Sequence, residues 1–250
     1  TPIGNLEDIT LRALRVLREV GLIAAEDTRR TSKLLSAHGI STPTLSFHAH
    51  NVTTRLPRLL ERLESGVDVA VVSDAGTPGV SDPGLELVRA CADRGIKVDP
   101  IPGASATLTA AVGSGFPLEP LKIMGFCPSK GAERTEFLRR IASSVETQVF
   151  FEAPHRISDF MTTALEVFGS DRRGALCREM TKQFEETIRG NLQELAEWTR
   201  SKEMLGEFTI VIAGFDPAAV TYTDEDLAAR VKKYEESGLT RKESMVLVSK

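Results

Sequence analysis

VDVAVVSDAGTPGVSDPG, residues 67–84, is the stretch whose reading decides the fold. Val67 to Val72 is an apolar, mostly β-branched run bounded by Gly66 and by Asp74-Ala75-Gly76, the composition of a buried strand. The twelve residues that follow carry three glycines and two prolines. Loops inside α/β units usually run ~2–6 residues, so a loop of this length is expected to do more than turn the chain. Its Gly, Ser and Thr residues let backbone groups approach a ligand closely.

Outward from this strand the chain alternates. Towards the N-terminus, Asn5 is read as capping a helix through Ile9, Leu14 and Val20, before a strand at Leu22–Ala25. A helix over 28–38, a strand at 45–47 and a helix over 55–63 lead to residue 67. Towards the C-terminus come a helix over 85–94, a strand over 96–101 and a helix over 104–112. Strand–helix alternation with continuous apolar strands predicts a parallel sheet covered by helices. Gly113-Ser114-Gly115-Phe116-Pro117 breaks the pattern and marks a domain boundary. A second set follows, with strands near 121–126, 147–151, 173–178 and 207–213 and helices near 132–142, 156–168 and 191–201. Strand character at Thr187–Arg189 predicts antiparallel pairing and a mixed sheet. The expectation is an α/β protein with domains over 1–116 and 117–217 and a helical tail over 218–250.

Composition narrows the function. The 250 residues are 41% hydrophobic and 26% charged with a net charge of −4, which excludes a globally basic nucleic-acid binder. Residues 1–65 nonetheless hold nine Lys/Arg against seven Asp/Glu. Three scattered cysteines form neither a CxxC pair nor an even framework, as expected of reduced thiols in a cytoplasmic protein without structural zinc. No apolar run approaches the ~20 residues of a membrane span. Neither GxxxxGK[ST] nor GxGxxG occurs, so a phosphate-binding P-loop and a dinucleotide site are both excluded. His48 and His50 lack a third ligand, and no metal is expected.

Ligands of open parallel sheets lie beyond the carboxyl ends of the strands. Four segments rich in Gly, Pro and small polar residues fall there: 1–5, 73–84, 101–106 and 152–156. Charged clusters stand beside them at Glu26-Asp27-Thr28-Arg29-Arg30, at Glu152, and at Arg178-Glu179-Met180-Thr181-Lys182.

The ordered segments TPIGNLEDIT, AEDTRRTSKLL, SFHAHN, VVSDAGTPGVSDPG, PIPGASA, FFEAPHR, REMTKQFEE with IRGNLQEL, and GEFTIVIAG closely resemble the ribosomal RNA small-subunit methyltransferase I family. Its members are cytidine 2′-O-methyltransferases within the tetrapyrrole-methylase superfamily. The resemblance runs from Thr1 to about Pro217. It implies a class III methyltransferase fold with S-adenosylmethionine (SAM) between two α/β domains, homodimerisation, and a cytidine 2′-hydroxyl in the decoding region of small-subunit rRNA as target. The family's first strand precedes the TPIGN segment, and an acidic residue commonly stands where this chain has Val52. Carried over by position, the SAM-binding residues would be Pro2, Asp74, Ala75, Gly76, Thr77, Pro78, Ser81, Pro102, Gly103, Ala104, Ser105 and Ala213. Methyl transfer to a hydroxyl calls for alignment, exclusion of water and a base. Glu26, Asp27, Glu152 and Lys182 are expected on the acceptor side, with Arg29, Arg156 and Arg178 holding phosphates. Two rivals stand beside this reading. One is a precorrin-type SAM methyltransferase, which the AEDTRR, EAPHR and REMTK segments disfavour. The other is a non-catalytic RNA-binding assembly factor that keeps the fold.

Overall fold

The computed structural model describes residues 1–219 and 224–248. Residues 1–214 form one compact unit and 215–250 a second. The first unit holds two sheets. Strands β1 (Leu22–Ala25), β2 (Thr44–Ser46) and β3 (Val69–Val72) pair in the order β2-β1-β3, all parallel, as the alternation predicts. Helices α1 (Leu11–Glu19), α2 (Thr28–Ala37), α3 (Val52–Glu64) and α4 (Leu85–Asp93) connect them. Ile23, Ala24 and Ala25 of β1 are fully buried, as the central strand of such a sheet requires. Leu17, Leu35 and Val72 pack on one face, and Phe47, Leu59 and Leu87 on the other.

Two expectations fail in this half. Asn5 caps only a single 3₁₀ turn, Leu6–Asp8, whereas the Thr10 side chain caps α1. The expected strand over 96–101 does not form. Lys97 and Asp99 are exposed and pair with each other at 2.9 Å, and Pro100 has no N–H to give a ladder. A strand exists only through a neighbour, and this segment has none among the described residues.

Helix α5 (Ala106–Ser114) leads into the second sheet, which comprises β4 (Leu121–Phe126), β5 (Thr147–Glu152), β6 (Arg173–Arg178), β7 (Glu186–Asn191) and β8 (Phe208–Ile212). The order is β4-β5-β8-β6-β7, with β4 and β5 parallel and the other pairs antiparallel, so the sheet is mixed as expected. Helices α6 (Gly131–Ile141), α7 (Ile157–Phe168) and α8 (Leu192–Arg200) cover one face around Phe150, Phe160, Leu176 and Ile210. Each such fully buried side chain contributes ~1.5–3 kcal/mol. The other face packs on α5: Ala110 and Ala111 meet Val149, Ala175 and Val211, and Ile3 joins them. A helix that follows the first sheet in sequence thus packs on the second, drawing the strand ends of both sheets together.

The second unit contains α9 (Asp224–Glu236) and α10 (Arg241–Val248), the helical tail expected. Gly238 turns the chain between them at φ +97°, and Thr240 and Glu243 cap α10 reciprocally. No helix among the described residues is long and apolar enough to cross a membrane.

Candidate active site

The carboxyl ends of β1 and β3 are cross-linked by their own acids. The Asp74 amide donates to Glu26 Oε2 (3.1 Å), and the Asp27 amide donates back to Asp74 Oδ1 (3.0 Å). Asp74 Oδ2 lies 3.5 Å from Arg30 Nε. Asp74 therefore enters the site with both oxygens engaged. Asp27 caps α2 through the Arg29 amide (2.8 Å) and pairs with the Arg29 guanidinium at 2.9 Å. These bonds hold its carboxyl at about 2.

The first loop closes over β3. The Gly76 amide donates to the Thr1 carbonyl (3.1 Å) and the Thr1 hydroxyl to the Ser73 carbonyl (2.9 Å). Gly76 is buried at φ +69°, a backbone where any side chain is strained. A valine there would disturb the loop as well as fill space. Gly103 is the cleaner position, since a Cβ there meets nothing within 4 Å. Ser105 caps α5 through the Leu108 amide. Thr77, Pro78 and Ala104 lie along the same two loops, with Pro102 exposed. Ser81, at φ 64°, approaches Gly125 of β4, so the long loop reaches the second sheet.

Across from these loops stands Arg178–Lys182, which follows β6. Lys182 Nζ donates to Glu179 Oε1 and Glu207 Oε2, each at 2.9 Å. Burial pulls this ammonium down, but the two carboxylates outweigh it and hold the group above the usual lysine range. Lys182 is a fixed cation rather than a proton acceptor. The loop is strained, with Glu179 at φ 50° and Thr181 at φ 66°. Non-glycine residues in that region cost on the order of 1–3 kcal/mol and cluster at functional sites. The strain serves a fit: the Thr181 hydroxyl accepts from the Asn5 amide (3.1 Å), and a Cβ on Gly4 would meet Lys182 Cγ at 2.6 Å. Only glycine lets the TPIGN segment lie this close.

Between the two sides lies a cavity of about 250 Å³. One wall is the backbone of residues 1–4 and 73–75. A second is the first turns of α2, with Arg30, Thr31, Lys33 and Leu34, and Lys182 and Glu207 form the third. Of the residues expected from sequence, the cavity brings together Pro2, Asp74, Ala75 and Lys182, with Glu26 and Asp27 hydrogen-bonded to Asp74.

Arg29, Gly76, Thr77, Pro78, Ser81 and the 102–105 loop do not line it, and Glu152, Arg156, Arg178 and Ala213 make their contacts elsewhere. Glu152 is buried at the end of β5, where it accepts from the Ala153 amide (2.9 Å). Arg156 Nε lies 3.1 Å from Glu152 Oε1, and Arg156 Nη2 donates to the Cys127 carbonyl (2.6 Å). Arg178 Nε donates to the Leu205 carbonyl (2.6 Å), and its Nη1 faces Glu186 at 3.5 Å. Ala213 follows β8 at the end remote from Glu207, where its carbonyl accepts from Arg172. Each of these three charged side chains is spent on the protein itself.

Sequence reasoning passed over Asp82, which lies in the same long loop. Burial, then the charges of Glu26 and Asp74, push its carboxyl up to about 6. It also missed Arg30 and Lys33 as cavity residues, although their spacing from the Asp27 cap puts them on one helix face. Glu207 carried no signal before the fold brought it to Lys182. Among the described residues no group of three His, Cys, Asp or Glu is placed to hold a metal ion.

The match to known proteins spans both sheets. The model of the Tetrapyrrole (Corrin/Porphyrin) Methylases matches residues 1–196. The chain is 42% identical to the Ribosomal RNA small subunit methyltransferase I of Halalkalibacterium halodurans, covering all of this chain and 87% of that protein. It is also 42% identical to the protein of that name in Bacillus subtilis, covering 98% and 85%. In fold it is similar to a cobalt precorrin-4 methyltransferase (TM-score 0.61, 14% identity, 84% of this chain and 90% of that one). It is likewise similar to the uroporphyrin-III C-methyltransferase of Thermus thermophilus complexed with S-adenosylhomocysteine (TM-score 0.57, 19% identity, 83% and 92%). With the first sheet, the long loop of β3 and the strained loop of β6 inside the residues the family model matches, and β8 inside the span shared with the relatives, this chain belongs to the tetrapyrrole methylase family, within its ribosomal RNA small subunit methyltransferase I branch.

Proposed function

We propose that this chain transfers the methyl group of SAM to the 2′-hydroxyl of a cytidine in the decoding region of small-subunit ribosomal RNA. The observation that carries the reading is the cavity itself: a backbone wall of small residues on one side faces fixed charges on the other. That donor set fits SAM. Ala75 lines the cavity and Gly103, on the neighbouring loop, has open space at its Cβ position, which suits a flat adenine and ribose, and Glu207 and Lys182 offer partners for a zwitterionic end. When bound there, SAM supplies an already activated methyl group on a sulfonium, so no metal is called for.

The chain's own residues then align and deprotonate. Glu26, anchored by the Asp74 amide, takes the hydroxyl proton. Asp27 is too weak a base to do so, because Arg29 holds it at about 2. Lys182, kept as an ammonium by Glu179 and Glu207, steadies negative charge as it develops on the attacking oxygen. The Glu152–Arg156 pair supports the second sheet from outside the cavity. The division at residues 116/117 belongs to the same proposal, since the reaction is placed where the two sheets' loops meet. The active form is a homodimer in the cytoplasm, a reading supported by the free edge of β4, where Ile123 and Phe126 are exposed.

The test is transfer of tritium from labelled SAM to small subunits lacking this modification, followed by mapping of the labelled nucleotide. Label at a cytidine 2′-oxygen is expected; a labelled base, or a coloured methylated tetrapyrrole, would refute the reading. Lys182→Ala should lower kcat with little change in KM for subunits.

A further inference from the structure

The geometry points to Arg30 and Lys33, one face of α2, as the site that seats a phosphodiester next to the acceptor nucleotide. The inference deepens the function proposed above and rests on it. Asp27 fixes the first turn of α2, and the residues that follow at positions 30, 31, 33 and 34 all line the cavity. Thr31 and Leu34 are buried and anchor this face; Arg30 and Lys33 are exposed and rise above it at the cavity mouth. Among the described residues, Lys33 makes no ion pair or hydrogen bond with a protein group. Arg30 meets Asp74 only at 3.5 Å and keeps most of its guanidinium in solvent.

Among the described residues, the other side-chain cations at the cavity are neutralised. Lys182 lies between two carboxylates, and Arg29 is bonded to Asp27 by two of its nitrogens. The uncompensated positive charge at the mouth is therefore that of Lys33 with part of Arg30. A ribose whose 2′-oxygen is brought to Glu26 bears a phosphodiester on the adjacent 3′-oxygen, and this ridge, on α2 directly after β1, stands on the Glu26 side of the cavity. Arginine can hold two phosphate oxygens through its planar fork, and lysine adds a mobile point charge.

An anion at this ridge has two sources, the RNA phosphate and the carboxylate of SAM, and the experiment separates them. Transfer to unmodified small subunits is measured across a salt series for the unaltered chain, Lys33→Ala and Lys33→Arg, with SAM affinity titrated in parallel. Lys33 is exposed and has no partner among the described residues, so its variants are expected to keep the fold. The expected result for Lys33→Ala is a roughly tenfold rise in KM for subunits, the loss of one charge-assisted contact. The slope of log affinity against log salt should flatten by about 0.7. Values of kcat and SAM affinity should hold, and Lys33→Arg should restore KM and slope. Weakened SAM binding at normal KM for subunits would assign the ridge to the cofactor carboxylate and overturn the inference. Unchanged KM and salt slope in Lys33→Ala, with the unaltered chain active, would overturn it alone. No transfer by the unaltered chain would overturn the proposed function and this inference with it.

Discussion

Replacing Arg156 by alanine should unfold the protein more readily rather than weaken its hold on RNA. Glu152, whose side chain is 0% exposed, faces Arg156 Nε at 3.1 Å, and its Oε2 has no hydrogen-bond partner. Burial raises the Glu152 pKa, with the Ala153 amide and then Arg156 opposing the shift. Removing one partner of a buried pair costs about 3–5 kcal/mol, because the other charge is stranded. For a chain of this length that is roughly 10 °C in Tm. The loss should depend on pH. A carboxyl whose folded pKa is raised binds its proton more tightly when folded, so stability falls as pH rises through the folded value and recovers below the ordinary carboxylate range. In Arg156→Ala the opposing charge is gone, so the deficit should be largest near pH 8 and shrink towards pH 4. A second substitution, Glu152→Gln, should recover part of the stability in the Arg156→Ala background. Thermal unfolding followed by circular dichroism across pH reads all three outcomes. A wild-type Tm for Arg156→Ala, combined with a raised KM for subunits and a flatter salt dependence, would refute the reasoning and return Arg156 to the phosphate.

Four more outcomes follow from the loops and acids around the cavity. Gly103→Val should weaken SAM binding at least tenfold in a calorimetric titration with little change in Tm, whereas Gly76→Ala should lower stability by about 1 kcal/mol because its φ is positive. Glu26→Gln should lower kcat by about 10²–10⁴ while SAM affinity stays near wild type, read by single-turnover transfer to subunits. Asp82, raised to about 6, destabilises the folded chain once it ionises, so Asp82→Asn should raise the Tm at pH 8 and leave it unchanged at pH 4.

The local pattern determined what depends on neighbours in sequence. An apolar β-branched run bounded by Gly66 and Asp74 forms a strand, so the parallel sheet was legible before any coordinate, although only Val72 of β3 is buried and Val69 to Val71 are half-buried. The Asp27 cap of α2 and the Asn191 cap of α8 depend on local sequence in the same way, since a cap is a bond between residues two or three apart. The eight ordered segments also carried the family, because they span every loop that meets at the cavity. Pairing over distance was not legible. The segment 96–101 has strand composition but no ladder partner, and Pro100 withholds a donor, so it stays irregular. Arg29, Arg156 and Arg178 look alike as arginines beside acidic strand ends. Only the fold shows that Asp27, the Cys127 carbonyl and the Leu205 carbonyl occupy them and that Lys33 has no partner among the described residues. The same holds for Lys182: its charge is set by Glu207, which lies 25 residues on in the chain and reaches it only because β8 lies beside β6. Which groups share a cavity, and which are already spent, follows from packing, and packing is a property of the whole sheet rather than of any window of sequence.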